Sequence, residues 1–334
     1  MTESKEQNDG GSGNTNSGKA DTPSRNWITI LFYIYLHIFG LVGLYVLLAK
    51  IKWITLWYFL ALVIFSYTGL TAGAHRLYAH QTFTAASQLR FFLVLAHTMA
   101  GVGPVYDWVL WHRLHHKYHN TDEDPFDHRK GFLYSHVFSN FQSTSSNVQL
   151  KNIDMRDVGS DRIVWVQQKF YWILFIVLTF LLPIYVSVEY CGESFVNSVL
   201  VIGATRVMIT THIAWLVNSA LLIWGLKKGD RFPVSDNNSV FFVTQSYWPN
   251  YHYVIPWDWR NDEFGPYERG FSTFMIKMWY EMGLIEKMMT TTTKDIREIL
   301  EKIAVSKVPI KEAFEQLKKK SEEDACRQKL VYYP

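Results

Sequence analysis

The chain has 334 residues and a net charge of +3; hydrophobic residues make up 49% of it and aromatics 16%. That balance offers no broad basic field for a nucleic-acid partner, and two cysteines, Cys191 and Cys326, cannot build a disulfide framework. The 13 Trp and 19 Tyr instead suit a membrane interface, where one end of the ring system is dry and the other wet.

Met1 to about Arg25 is rich in Gly, Ser and Asn and has no apolar core, so residues 1–26 read as a disordered arm rather than a signal peptide. Four apolar stretches follow, from about Trp27 to Leu48, Trp53 to Ala72, Phe170 to Val188 and Phe195 to Trp224. Each is near or above the roughly 20 residues that cross a bilayer core. A fifth run, Leu89 to Val105, is broken by Gly101, Gly103 and Pro104 and is expected to lie at the interface. The expected fold is all-α and integral to the membrane: four transmembrane helices in two hairpins, with a cytosolic histidine-bearing domain. The turn at Glu189–Glu193 has two Glu and no Lys or Arg, whereas 76–169 and 227–334 hold most of the basic residues. The positive-inside rule therefore places those segments and both termini in the cytosol; the two lysines of the other turn, Lys50 and Lys52, argue the opposite way. The membrane domain is expected over 27–289. A polar helical tail over 290–334 carries Ile296, Ile299, Leu300 and Ile303 at helical spacing.

The 12 histidines are unevenly spread. His75 and His80 follow the second apolar stretch. His112, His115 and His116 stand at i, i+3, i+4, on one side of a helix. Imidazole is a common ligand of iron and zinc, and five in two tight groups at the ends of membrane helices point to a metal. On a regular helix the i, i+5 spacing sets His75 and His80 about 140° apart, which predicts two metals, each taking one of them.

Thr71-Ala72-Gly73-Ala74-His75-Arg76-Leu77-Tyr78-Ala79-His80 resembles the first histidine box of the membrane acyl-CoA desaturases. His112-Arg113-Leu114-His115-His116-Lys117-Tyr118, followed by Thr121-Asp122-Glu123-Asp124-Pro125, resembles the second. Arg129 to His136 and Trp215 to Ala220 match the stretches around them, and the likeness covers about Trp27 to Met289. It implies an endoplasmic-reticulum enzyme with two irons on nine histidines and a water-linked asparagine, here Asn218. It also implies electrons from cytochrome b5 and an O2-dependent cis double bond placed in a saturated fatty acyl-CoA.

The resemblance is incomplete. Leu222, Pro249 and Tyr253 stand where the family has histidines, which leaves His75, His80, His112, His115, His116 and His252, an expected three for each iron. Leu and Pro offer no lone pair, and Tyr can ligate ferric iron as phenolate. His97, His119 and His212 read as ordinary polar residues rather than substitutes. Leu110 and Trp111 replace a charged pair that holds CoA in the family. Tyr67 stands at the end of the family's acyl tunnel, where it would shorten the tunnel. The leading expectation is a desaturase-like protein whose own catalysis is weakened or lost, acting through a lipid, an active desaturase or its electron donor. An active desaturase with a remodelled iron site and a non-catalytic lipid- or partner-binding membrane protein are the alternatives.

Overall fold

The computed structural model describes residues 26–141, 153–225, 248–264 and 267–332, with backbone alone at 248–250 and 328–332. The N-terminal arm and the side chain of Pro249 lie outside them. Four helices are long and apolar enough to cross a membrane: Trp27–Ala49, Trp53–Ala79, Tyr171–Glu189 and Phe195–Ser219. Ile28, Phe39, Trp57, Trp172 and Ile173 remain exposed on them, a state that lipid tolerates and water does not. The four-span, all-α reading of the sequence therefore holds.

The connections between the paired spans, at Lys50–Lys52 and Tyr190–Ser194, meet at one end of the bundle. The Glu193 carboxylate accepts from the Lys52 N–H at 3.3 Å and from Thr55 Oγ1 at 3.2 Å, while Lys52 Nζ donates to the Gly192 carbonyl. An anion is thereby held at the positive end of the second span. The second span has 27 residues and the fourth 25, more than a bilayer needs. Their extra turns emerge at the opposite end, carrying His75 on one and Asn218 on the other.

Between the hairpins, Ser87–Ala100 and Val105–Tyr118 meet at 83°. Gly101 makes the corner with φ +75°, and a Cβ there would press on Phe175, Thr179 and Val207 at 3.2–3.4 Å, so both its conformation and its contacts favour glycine. The last carbonyls of Ser87–Ala100 have no helical partner. Side chains from two spans supply the donors: Thr179 Oγ1 to Thr98 O at 3.0 Å, Arg206 Nη1 to Met99 O at 2.7 Å, and Thr210 Oγ1 to Ala100 O at 2.9 Å. Arg206 is fully buried. It also donates from Nε to Ile202 O at 2.9 Å and from Nη2 to Thr179 O, so its charge is spread over three carbonyls. Gly69 lets the second span touch this helix backbone to backbone, since a Cβ would fall 2.1 Å from the His97 nitrogen.

Beyond the membrane, Phe83–Ala85 pairs antiparallel with Ile285–Met288, Phe83 opposite Met288. The C-terminal helices Thr293–Ser306 and Ile310–Tyr332 bury Ile296 and Ile299 of the apolar stripe seen in the sequence, with Ile303 partly covered and Leu300 exposed. Ile296, Ile299 and Leu317 pack with Tyr251, Ile255 and Trp257, and Thr292 and Asp295 close a capping box at the first helix. The tail thus braces the segment that carries His252.

Replacing Arg206 by Met would leave the Met99 and Thr179 carbonyls short of a donor in an apolar setting, a loss of roughly 2–6 kcal/mol at about 1–3 kcal/mol per orphaned group. The expected result is a thermal midpoint lowered by several degrees in detergent, with Arg206→Lys between the two.

Candidate metal centre

The residues from Gly69 to Ala79 wind as a π-helix, and the His80 N–H donates to the His75 carbonyl at 3.1 Å. An i→i+5 repeat stacks residues five apart, so the two first-box imidazoles lie with ring centroids 4.8 Å apart. The 140° separation behind the expectation of one metal for each assumed α-helical winding, which this segment does not adopt.

Four ring nitrogens, one each from His75, His80, His112 and His252, lie within 4.8 Å of one another. The Nε2 atoms face each other: His80 to His112 at 2.8 Å, His75 to His252 at 3.2 Å and His116 to His252 at 3.1 Å. His75, His112 and His252 are all buried. Their outer nitrogens show which way the lone pairs point. His75 Nδ1 donates to Glu263 Oε1 at 2.8 Å, and His112 Nδ1 donates to Asn218 Oδ1 at 2.8 Å. Each of these two rings therefore turns a bare Nε2 inward. Burial, followed by the crowding of neighbouring imidazoles, pushes His112, His116 and His252 well below the usual imidazole range, so these rings stay neutral and able to ligate. Burial acts to raise the Glu263 carboxyl, but Arg76, donating from Nε at 2.6 Å, and His75 bring it down to about 2. An ionised carboxylate behind a histidine fixes its tautomer and raises its basicity. Inward lone pairs with ionised or carbonyl acceptors behind them fit a metal ion.

His115 belongs elsewhere. Its Nδ1 donates to Asp124 Oδ1 at 2.7 Å and its Nε2 accepts from the Tyr253 hydroxyl at 2.5 Å. It groups with His119 and His128, of which His128 drew no notice in the sequence. Of the six family histidines, His75, His80, His112 and His252 group together, His116 reaches His252 at 3.1 Å, and His115 turns to a separate group. Asn218 is engaged by His112, and its own carbonyl accepts from His128 Nε2 at 2.7 Å. Leu222 lies partly buried in the turn Leu221–Trp224. Of the other candidate substitutes, His97 donates to the Gly103 carbonyl at 3.1 Å, and His212 sits between His37 and His136.

A cavity of about 680 Å³ approaches the site, lined by Val102, Pro104, Trp108, Trp111, Ala214 and Asn218 among others. Trp108 stacks on His112 with centroids 5.1 Å apart. Tyr67 does not line this cavity; its ring packs against Phe264 and Phe271.

No protein-family model matches the chain. Curated relatives do. The chain is 34% identical over 280 residues to the acyl-CoA Delta-9 desaturase of Acheta domesticus, covering 83% of this chain and 78% of that protein. It is 34% identical over 262 residues to the stearoyl-CoA desaturase of Mesocricetus auratus, 77% and 73% covered. To the acyl-CoA Delta-12 desaturase of Tribolium castaneum it is 32% identical over 275 residues, 81% and 77% covered.

The chain belongs to the acyl-CoA desaturase family. As in the sequence reading, this desaturase relative is a multi-pass membrane protein whose histidine groups could hold metal.

Glu263→Gln keeps a hydrogen-bond acceptor for His75 and removes the charge. It should weaken metal retention at the five-histidine centre by about 10–100-fold, measured by competition with a chelator of known affinity.

Proposed function

We propose that this desaturase relative binds fatty acyl-CoA in the endoplasmic-reticulum membrane and holds a single iron on His75, His80, His112, His116 and His252. In this reading its own desaturation is weakened or lost. The observation that carries the reading is the Tyr253 hydroxyl on His115 Nε2. A phenol stands there where the family pattern has an imidazole, and Leu222 and Pro249 replace two more of the family's histidines.

Iron at the five-histidine centre would supply one-electron and O2 chemistry. The chain's own contributions are positional. Glu263 and Asn218 hold protons on the outer nitrogens of His75 and His112. Asn218 Oδ1 accepts from His112, and its second lone pair and amide N–H groups are what a linked water would use. Trp108 walls the His112 ring on the side of the cavity, and the acyl chain would come along that cavity rather than toward Tyr67. The basic segments and both termini would face the cytosol, with cytochrome b5 or an active desaturase as partner.

The test is expression in a yeast strain that lacks its own acyl-CoA desaturase. The expected results are about one iron per chain and no growth without added unsaturated fatty acid. The triple variant Leu222→His, Pro249→His, Tyr253→His should raise the iron content and restore some growth. Rescue by the unaltered chain with two irons bound would overturn the proposal, as would iron unchanged by His112→Ala with His116→Ala.

A further inference from the structure

Three histidines outside the five-imidazole centre converge beside it: His115 and His119, on and just past the second-box helix, and His128, beyond the Asp124–Pro125 turn. One ring nitrogen from each lies within 4.8 Å of the others. Neither His119 nor His128 occupies any of the nine histidine positions of the family pattern.

The hydrogen bonds around them orient two rings. His115 donates from Nδ1 to Asp124, a carboxylate that can only accept, so its Nε2 carries a lone pair. His128 donates from Nε2 to the Asn218 carbonyl, so its lone pair is on Nδ1. That Nδ1 is buried and has no hydrogen-bond partner; close by, His119 Nδ1 and Asp124 Oδ2 lie 3.7 Å apart, an ion-pair contact longer than a hydrogen bond. Unpartnered polar atoms are rare in protein interiors, and the bare His128 nitrogen calls for a missing partner. His128 is more than nine-tenths buried and His115 completely so. The Tyr253 ring stacks on His119 with centroids 4.2 Å apart, which sets its oxygen against His115.

We propose that His115, His119 and His128 form a separate site for one divalent transition ion of the zinc class, with the Tyr253 oxygen as the fourth donor. Three imidazoles and one oxygen, without thiolate, make a donor set that four-coordinate zinc accepts. The bonds already made by the outer nitrogens, one to a carboxylate and one to a main-chain carbonyl, are those that support ligating histidines. On binding, the Tyr253 proton leaves His115 Nε2, either turning away with the phenol or passing to solvent as the phenolate forms; no redox step is involved. This proposal is independent of the five-histidine reading.

The test uses the full-length chain in detergent, stripped with a chelator and titrated with zinc alone. A His75→Ala, His252→Ala variant, impaired at the five-histidine centre, should still bind one equivalent. Adding His119→Ala and His128→Ala should abolish that equivalent, together with the rise in thermal midpoint that zinc produces. Cobalt in the His75→Ala, His252→Ala variant should give the intense visible bands of a four-coordinate ion, altered by Tyr253→Phe. If the combined variant does not fold, His128→Gln in the same background serves instead, with an expected loss of at least tenfold in zinc affinity. Zinc binding unchanged by the His119 and His128 substitutions would overturn the proposal, as would no binding in the His75→Ala, His252→Ala variant.

Discussion

A helix that ends among membrane spans must give its last carbonyls to something other than water, because an unpaired backbone group costs several kcal/mol in an apolar layer. Ser87–Ala100 meets this constraint through Thr179, Arg206 and Thr210, and much of the metal centre depends on the arrangement. These bonds tie the third and fourth spans to the corner at Gly101. The corner sets the direction of Val105–Tyr118, and that helix presents His112, His115 and His116. The same fourth span ends at Asn218, which touches one ring of each histidine group. A guanidinium suits this position better than an ammonium. Its planar fork reaches carbonyls of three separate segments while the charge stays delocalised.

The second span contributes a different device. Its last turns hydrogen-bond five residues apart, which brings His75 and His80 to one side and places Arg76 beside Glu263. Glu263 then serves two purposes. It compensates a buried arginine, and it orients a ligand. Removing its charge would leave Arg76 buried without its anion, so the electrostatics of the centre and the packing of the 259–264 segment are coupled.

The spans were legible because length and apolarity alone decide them, and the five converging histidines were legible as residue types. Their division between centres was not. His75 and His80 were read with α-helical geometry, and nothing local in Gly69–Ala79 announces the π winding. Glu263 was missed because its role comes from a contact across nearly two hundred residues. His128 was missed because it lies past a Pro turn, outside any periodic spacing. His119 was read as an ordinary polar residue, one turn past His115, and only the fold shows His128 arriving on its other side. Trp111 lies at the wall of the cavity, a placement that residue type alone did not give.

The uneven division changes what the lost ligands imply. Three losses spread over two equivalent irons would weaken both. Five imidazoles converge around one point, with Glu263 and Asn218 behind two of them, while His115 turns to His119 and His128. The buried imidazoles meet through Nε2–Nε2 contacts of 2.8–3.2 Å, which neutral rings bridge with protons on His80 and His252. A bound cation would take the place of those protons and give the inward nitrogens a common partner.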